Sequence, residues 1–144
     1  MIVKDIAELT PAARKKFNDF LWEARRRLKP LGLDIFLTET YRPQSRQDEL
    51  YKIGRRGIAD EKIVTQLRRS KHTSRRAWDV AFKGLEEKVD IYLRGWPKGC
   101  TEAEQIKRQA EAWAILGAVA KHFNIIWGGT WIKLQDKPHF EIPR

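Results

Sequence analysis

Two histidines and two aspartates stand in this chain at spacings that could hold and use a metal ion. His72 and Asp79 lie seven residues apart, within Ser70-Lys71-His72-Thr73-Ser74-Arg75-Arg76-Ala77-Trp78-Asp79. His139 lies near the end, three residues after Asp136, in Asp136-Lys137-Pro138-His139-Phe140. Two imidazoles and one carboxylate form a common catalytic zinc set, with three protein ligands and the fourth position left to water. On that reading His72, Asp79 and His139 are the ligands, and Asp136 is the base that takes a proton from the water. A histidine and an aspartate seven apart also recur by chance, so ligand types alone leave a zinc site and an incidental pair both open. Two local details favour the metal. Asp79 stands mid-strand among apolar neighbours, where a carboxylate needs a countercharge. Asp136 supplies a second carboxylate beside a ligand histidine, as hydrolysis requires.

The elements that must position these residues are legible in outline. Thr10-Pro11 reads as an N-cap followed by proline in the first helical position. Phe17, Phe20, Leu21, Ala24 and Leu28 then recur at helical spacing, Pro30 closes the helix, and Arg14, Lys15, Arg25 and Arg26 take the outer face. Leu33 to Thr38 reads as a strand, with Leu33, Ile35 and Leu37 on one side. A short helix is expected from about Pro43 to Ile53, stopped by Gly54. Gly57 to Lys71 has no clean period and reads as a loop with some helical tendency. Ala77 to Phe82 alternates as a strand, with Ala77, Asp79 and Ala81 sharing a face. An irregular excursion from Lys83 to Gly99 follows. Thr101 and Glu104 make a capping box, and the helix behind it is expected to bury Ile106, Ala110, Trp113, Leu116, Gly117 and Ala120. Ile125-Ile126-Trp127 and Pro138 to Ile142 read as short strands, with Gly128-Gly129 in a turn or bulge between them. The expected fold is α+β: one small domain over residues 1–144, mostly antiparallel sheet with helices packed on it and the zinc site at the sheet.

Composition narrows the function. The chain has 144 residues, enough for one core and too few for two ordinary domains. No run of about 18 apolar residues suggests a membrane span. Met1 to Glu8 lacks the basic and apolar stretches of a secretory signal, so synthesis and folding in a cytoplasm are expected. Cys100 is the single cysteine, which excludes an internal disulfide and a cysteine metal cluster and leaves a structural or incidental thiol. The net charge of +10 attracts polyanions, nucleic acid and the anionic bacterial wall among them. The cations come in pairs and triplets such as Arg25-Arg26-Arg27 and Arg75-Arg76, with no nucleic-acid-binding signature, so a solvated face is the reading and nucleic acid is not an expected partner.

The motifs also resemble those of a known family. Ser70-x-His72-x-x-x-x-Ala77-x-Asp79 is similar to the Ser-x-His-x-x-Gly-x-Ala-x-Asp motif of the zinc D-Ala-D-Ala carboxypeptidase and dipeptidase superfamily. Asp136-x-Pro138-His139-Phe140 resembles its acidic-x-x-His motif, and the aspartate form after Trp127-Gly128-Gly129-Thr130-Trp131 resembles the phage L-alanyl-D-glutamate endopeptidase, or endolysin, branch. Thr40-Tyr41-Arg42-Pro43-Gln44-Ser45-Arg46-Gln47, Leu50-Tyr51 and Gly54-Arg55 match that branch upstream, so the likeness runs from about Leu33 to Glu141. It implies Zn2+ on His72, Asp79 and His139, and Asp136 as base and later proton donor. It also implies Arg42 facing the scissile carbonyl oxygen and Ser70 as a support or substrate contact. Residue types alone would make Arg42 an ordinary surface arginine. The implied substrate is bacterial peptidoglycan, cut at the L-Ala-D-Glu bond of the stem peptide by a monomer that accumulates in the host cytoplasm and reaches the wall after release. The rival readings are a D-Ala-D-Ala carboxypeptidase or dipeptidase, and a basic wall- or nucleic-acid-binding module without catalysis.

Two positions depart from the family pattern. Arg75 replaces a glycine between the first two ligands, which stores strain if the backbone there has positive φ and otherwise adds a cation beside the site. Thr130 stands where the branch has aspartate, removing a possible second acceptor near the metal. His122 matches no motif and reads as a helix-end histidine. Trp78, Trp127 and Trp131 read as core.

Overall fold

The computed structural model describes residues 2–85 and 101–143. Most of the excursion after Lys83, with Trp96-Pro97 and Cys100, lies outside the described residues. Helix α1 spans Pro11–Leu28, and the Thr10 side chain caps it by accepting from the Ala13 N–H. The helix ends two residues before Pro30, which falls inside a 3-10 turn, Lys29–Leu31. Gly32 leaves that turn at φ +73°, a left-handed conformation that glycine adopts without a Cβ clash.

Strand β1 (Leu33–Glu39) and helix α2 (Gln44–Lys52) follow. Gly54, just past α2, has φ +82°, and a Cβ there would meet the Ile63 backbone at 2.4 Å. Both facts require glycine. Residues 57–71 contain no helix, so their slight helical tendency is not realised. Strand β2 (Ala77–Gly84) runs two residues longer than its alternation suggested. Helix α3 (Glu102–His122) starts at Thr101, whose hydroxyl accepts from the Glu104 N–H. Strands β3 (Ile126–Trp127) and β4 (His139–Glu141) complete a four-stranded sheet of order β1-β2-β4-β3, antiparallel throughout. The α+β reading therefore holds.

The sheet has two unlike faces. Trp78, Val80, Phe82 and Phe140 point into a core closed by Phe17, Phe20, Ala24 and Leu28 of α1 and by Trp113, Leu116 and Val119 of α3. Trp78 and Phe140 are cross-strand partners with rings stacked 6.4 Å apart, and Phe20 packs 4.7 Å from Phe140. Each such fully buried side chain contributes roughly 1.5–3 kcal/mol through the apolar surface it removes from water. The buried stripe of α3 is Ala112, Trp113, Leu116, Val119 and Ala120; Ile106 and Ala110, expected inside, are exposed. Helical spacing gives the period of a stripe but not where along the helix the sheet beneath it begins. The same two helices leave the other sheet face uncovered by their cores, and that face carries the polar residues.

Candidate metal and catalytic site

Strand pairing does most of the positioning. Asp79 on β2 is the direct antiparallel partner of His139 on β4, and Glu39 at the end of β1 is the partner of Asp79 on the other side. Side chains on cross-strand partners share a face, so Glu39, Asp79 and His139 form one row across three strands. His72 arrives from a tight turn. The Ser70 hydroxyl accepts from the His72 N–H at 3.1 Å, and the Ser70 carbonyl accepts from Thr73 at 3.1 Å, so Ser70 shapes the turn that aims the imidazole. The same turn lines a polar pocket of about 430 Å³ walled by Gln44, Arg69, Ser70, Thr73 and Ser74.

The three expected ligands converge. His72 Nε2 lies 3.1 Å from Asp79 Oδ1 and 3.1 Å from His139 Nδ1, and His139 Nδ1 lies 3.2 Å from Asp79 Oδ1. Tautomers follow from the outer partners. His72 Nδ1 is 2.8 Å from the Thr40 carbonyl oxygen, which can only accept, so Nδ1 carries the proton and Nε2 keeps a lone pair. His139 Nε2 is 2.9 Å from Glu141 Oε1, which likewise draws the proton to Nε2 and turns the Nδ1 lone pair inward. With both imidazoles neutral, as metal ligands must be, three lone pairs meet in a buried place, a repulsive arrangement unless a cation or a proton sits among them. Ligand atoms about 2.0–2.1 Å from a tetrahedral zinc lie about 3.3–3.4 Å from one another, close to the spacings here. The donor set of two imidazoles and one carboxylate suits that ion.

Electrostatics point the same way. Burial pulls the His139 imidazole down, but hydrogen bonds to Asp79 and Glu141 outweigh it and push the pKa up to about 9. Burial raises Asp79, yet its bonds to His139 and His72 hold it far below the usual carboxylate range. The cluster selects for positive charge at its centre.

Asp136 is the second carboxylate of the site. Its backbone N–H donates to the Gly128 carbonyl at 2.9 Å, and its carbonyl accepts from the His139 N–H at 3.2 Å. A Cβ at Gly128 would come within 2.3 Å of the Asp136 carbonyl, so this close approach requires glycine. The Asp136 carboxylate makes no hydrogen bond or ion pair among the described residues. Burial first, and then the Asp79 charge, raise its pKa, while His139, His72 and Arg42 pull it down. Arg42 is 12% exposed in its side chain, not a surface arginine: Glu39 accepts from its Nε at 3.1 Å and from Nη2, and Gln47 from Nη1 at 2.8 Å. Its own N–H donates to the His72 carbonyl at 3.1 Å.

Arg75 has φ +61°, so arginine occupies a left-handed position that suits glycine. Its side chain turns to the Glu8 carboxylate and stacks 3.9 Å over Tyr41. Thr130 is exposed and donates to the Trp127 carbonyl. His122 ends α3, exposed beside Phe123. Of the three tryptophans read as core, Trp78 is fully buried and Trp127 is half-buried against the core, but Trp131 is a correction: it is half-buried too, yet lies outside that core cluster, with its ring 5.1 Å from that of His139. Glu141, Thr40, Glu39 and Gln47 received no role from the sequence. For Glu141 a signal existed, since residues two apart on a strand share a face and His139-x-Glu141 obeys that rule.

Comparison with known proteins adds the lineage. The sequence model of the M15 peptidase family described as D-alanyl-D-alanine carboxypeptidase matches residues 64–142, a stretch that holds His72, Asp79, Asp136 and His139. The chain belongs to this family. The peptidoglycan L-alanyl-D-glutamate endopeptidase CwlK of Bacillus subtilis (strain 168) is 31% identical over 115 residues, covering 77% of this chain. The chain spans 62% of the length of that relative. The crystal structure of the L-Ala D-Glu endopeptidase ChiX of Serratia marcescens superposes with a TM-score of 0.58 at 20% identity, over 96% of this chain and 83% of that one. The second likeness is one of fold.

Proposed function

We propose that this protein is a zinc-dependent peptidase that cuts bacterial peptidoglycan stem peptides between L-Ala and D-Glu. The observation that carries the reading is the convergence of His72 Nε2, Asp79 Oδ1 and His139 Nδ1 close to the Asp136 carboxylate, which has no hydrogen bond or ion pair among the described residues. Those three atoms would hold the ion. When bound, zinc supplies Lewis acidity toward the scissile carbonyl and makes water more acidic.

The remaining chemistry belongs to the chain. The Asp136 carboxylate accepts the proton of the attacking water and returns it to the departing amine nitrogen. Its raised pKa suits a group that must both take and give a proton. Arg42 turns N–H groups to the carbonyl oxygen as negative charge grows there. Thr40, Ser70 and Glu141 hold the ligand imidazoles in orientation. The sequence relative CwlK, named a peptidoglycan L-alanyl-D-glutamate endopeptidase, supports the choice of bond. The proposed setting is lysis by a phage or prophage, with the enzyme made in the host cytoplasm and drawn to the anionic wall by its net charge of +10.

A second reading, a D-Ala-D-Ala carboxypeptidase, is favoured by the description of the matching family. Mass spectrometry of fragments released from purified peptidoglycan by the zinc-loaded protein separates the two. Fragments with a new D-Glu amino terminus support the first reading; release of free D-Ala with the L-Ala-D-Glu bond intact supports the second. No cleavage of either bond would overturn both.

A further inference from the structure

The arginine proposed to face the scissile carbonyl is clamped from two sides. Glu39 Oε1 accepts from Arg42 Nε at 3.1 Å and from Nη2, while Glu39 Oε2 accepts from Arg46 at 2.9 Å. Gln47, fully buried, accepts from Arg42 Nη1 at 2.8 Å and spends its own amide on the Leu67 carbonyl at 2.6 Å. A guanidinium has five N–H donors. Three are engaged here, which leaves one on each terminal nitrogen. The plane of the guanidinium is therefore fixed while two donors stay available.

The clamp is tied to the metal ligands through the backbone. Glu39 shares its cross-strand row with Asp79 and His139. The next residue, Thr40, holds His72 through its carbonyl and is itself anchored by hydrogen bonds to Val3 and Asp5. Leu67 belongs to the segment that leads into Ser70 and His72. One end of β1 thus sets both the first imidazole and the guanidinium. A fixed donor does not need to reorganise as charge develops, which is the source of its advantage over a mobile one.

We propose that Glu39 and Gln47 are positioning residues that hold the Arg42 guanidinium in its working orientation, and that Gln47 couples this orientation to the loop carrying His72. The inference rests on the reading of Arg42 as the cation facing the carbonyl oxygen.

The test is a pair of double-mutant cycles on zinc-loaded protein, with kcat and KM measured on a soluble stem peptide that the wild type cleaves, alongside zinc content and thermal midpoint. Gln47→Met is expected to lower kcat by ~10-fold or more through misplacement of the guanidinium, with little change in KM and the same zinc content. Gln47→Glu keeps an oxygen for Arg42 and loses the donor to Leu67, so it should recover part of that kcat. Glu39→Gln, nearly isosteric, should lower kcat by a smaller factor. In an Arg42→Ala background neither change should lower kcat further, because residues that act only through one partner are not additive with its loss. Undiminished, multiplicative losses in that background would overturn the proposal, as would unchanged kcat in both single variants. If Gln47→Met fails to fold, the Glu39→Gln cycle decides alone. Should Arg42→Ala itself leave kcat unchanged, the reading of Arg42 fails and the positioning role falls with it.

Discussion

Along β2, Trp78, Val80 and Phe82 enter the helix-backed core, while Asp79 between them faces the other way into the ligand cluster. On β4, Phe140 packs against Phe20 and Trp78, while His139 and Glu141 on either side of it belong to the site. The same two strands therefore carry two functions in alternate residues. One face is apolar and gains from every side chain it buries. The other gathers carboxylates and imidazoles that repel or shift one another and need a cation to settle them. Pleat geometry makes this separation possible, because neighbouring residues never share a surroundings.

If that division is real, substitutions on the two faces should fail in opposite ways. Phe82 is 1% exposed and packs 4.5 Å from Trp113, well along β2 from Asp79. Phe82→Ala should cost ~3–5 kcal/mol of stability, the transfer term plus a cavity. Denaturant unfolding should show that loss, while turnover per zinc-loaded folded molecule stays near wild type. Asp136→Asn should do the reverse. It removes the proposed base and keeps the shape, so kcat should fall by about 10²-fold or more with zinc content and unfolding midpoint retained. A variant of either face that moved both quantities together would erase the distinction.

How far the sequence revealed this arrangement depended on the kind of signal. His72, Asp79 and His139 were legible because ligand chemistry restricts residue type and the motifs fix spacing. The strands around Asp79 and His139 were legible because alternation on a half-covered sheet leaves a period of two. Register was not legible: nothing in the chain says that Asp79 lies opposite His139 rather than opposite a neighbour, since that choice is made by packing on the far face. Arg42 was legible through the motif resemblance, but the same limit hid its surroundings. A basic residue in a chain of net charge +10 looks like surface, and only the fold brings Glu39 and Gln47 around it. Trp131 misled for a related reason, because size and apolarity place a ring inside a core or against a site wall equally well.

A second contrast sharpens the first. Glu23 on α1 accepts from Arg26 and Arg27, much as Glu39 accepts from Arg42 and Arg46. The Arg26 side chain is 61% exposed, the Arg42 side chain 12%. The triplet Arg25-Arg26-Arg27 is thus partly neutralised on its own helix, with Arg25 also paired to Asp34. Hydrogen bonds from Arg26 and Arg27 lower Glu23 to about 2, and those from Arg42 and Arg46 lower Glu39 against the burial that raises it. A carboxylate with depressed folded pKa adds stability above its unfolded value near 4.5, and that stability is lost as pH falls through the folded value. For Glu23 the window runs from about 4.5 down to about 2. Glu23→Gln should therefore flatten the pH dependence of stability between those limits, by a modest amount, and leave kcat unchanged. Thermal unfolding across that range checks it, and an unaltered slope would assign the acid sensitivity to the carboxylates of Glu39 and Asp79 instead.

The smallest effect is expected at Arg75, which lies between the two kinds of region: in sequence it is next to the ligand turn, but its side chain points away. Its φ of +61° costs an L-residue about 1–2 kcal/mol relative to a right-handed conformation. Against this, the guanidinium stacks on Tyr41, worth about 0.5–1 kcal/mol at an exposed site, and pairs with Glu8, worth about 0–1. Glycine would remove the strain and both contacts, and would add about 0.4–1 kcal/mol of unfolded-chain freedom. Arg75→Gly should accordingly leave stability between about 2 kcal/mol lower and about 1 kcal/mol higher, since the opposing terms are of similar size. Arg75→Ala keeps the strain and loses the contacts, so it should be the less stable of the two variants. The backbone bonds from the Thr10 N–H to the Arg75 carbonyl and from the Arg75 N–H to the His72 carbonyl survive in both, so the ligand turn stays in place and kcat should not move. The decisive measurement is the difference between the glycine and alanine variants in denaturant. If alanine is the more stable, the left-handed backbone carries no appreciable strain, and arginine stands there without cost in place of glycine.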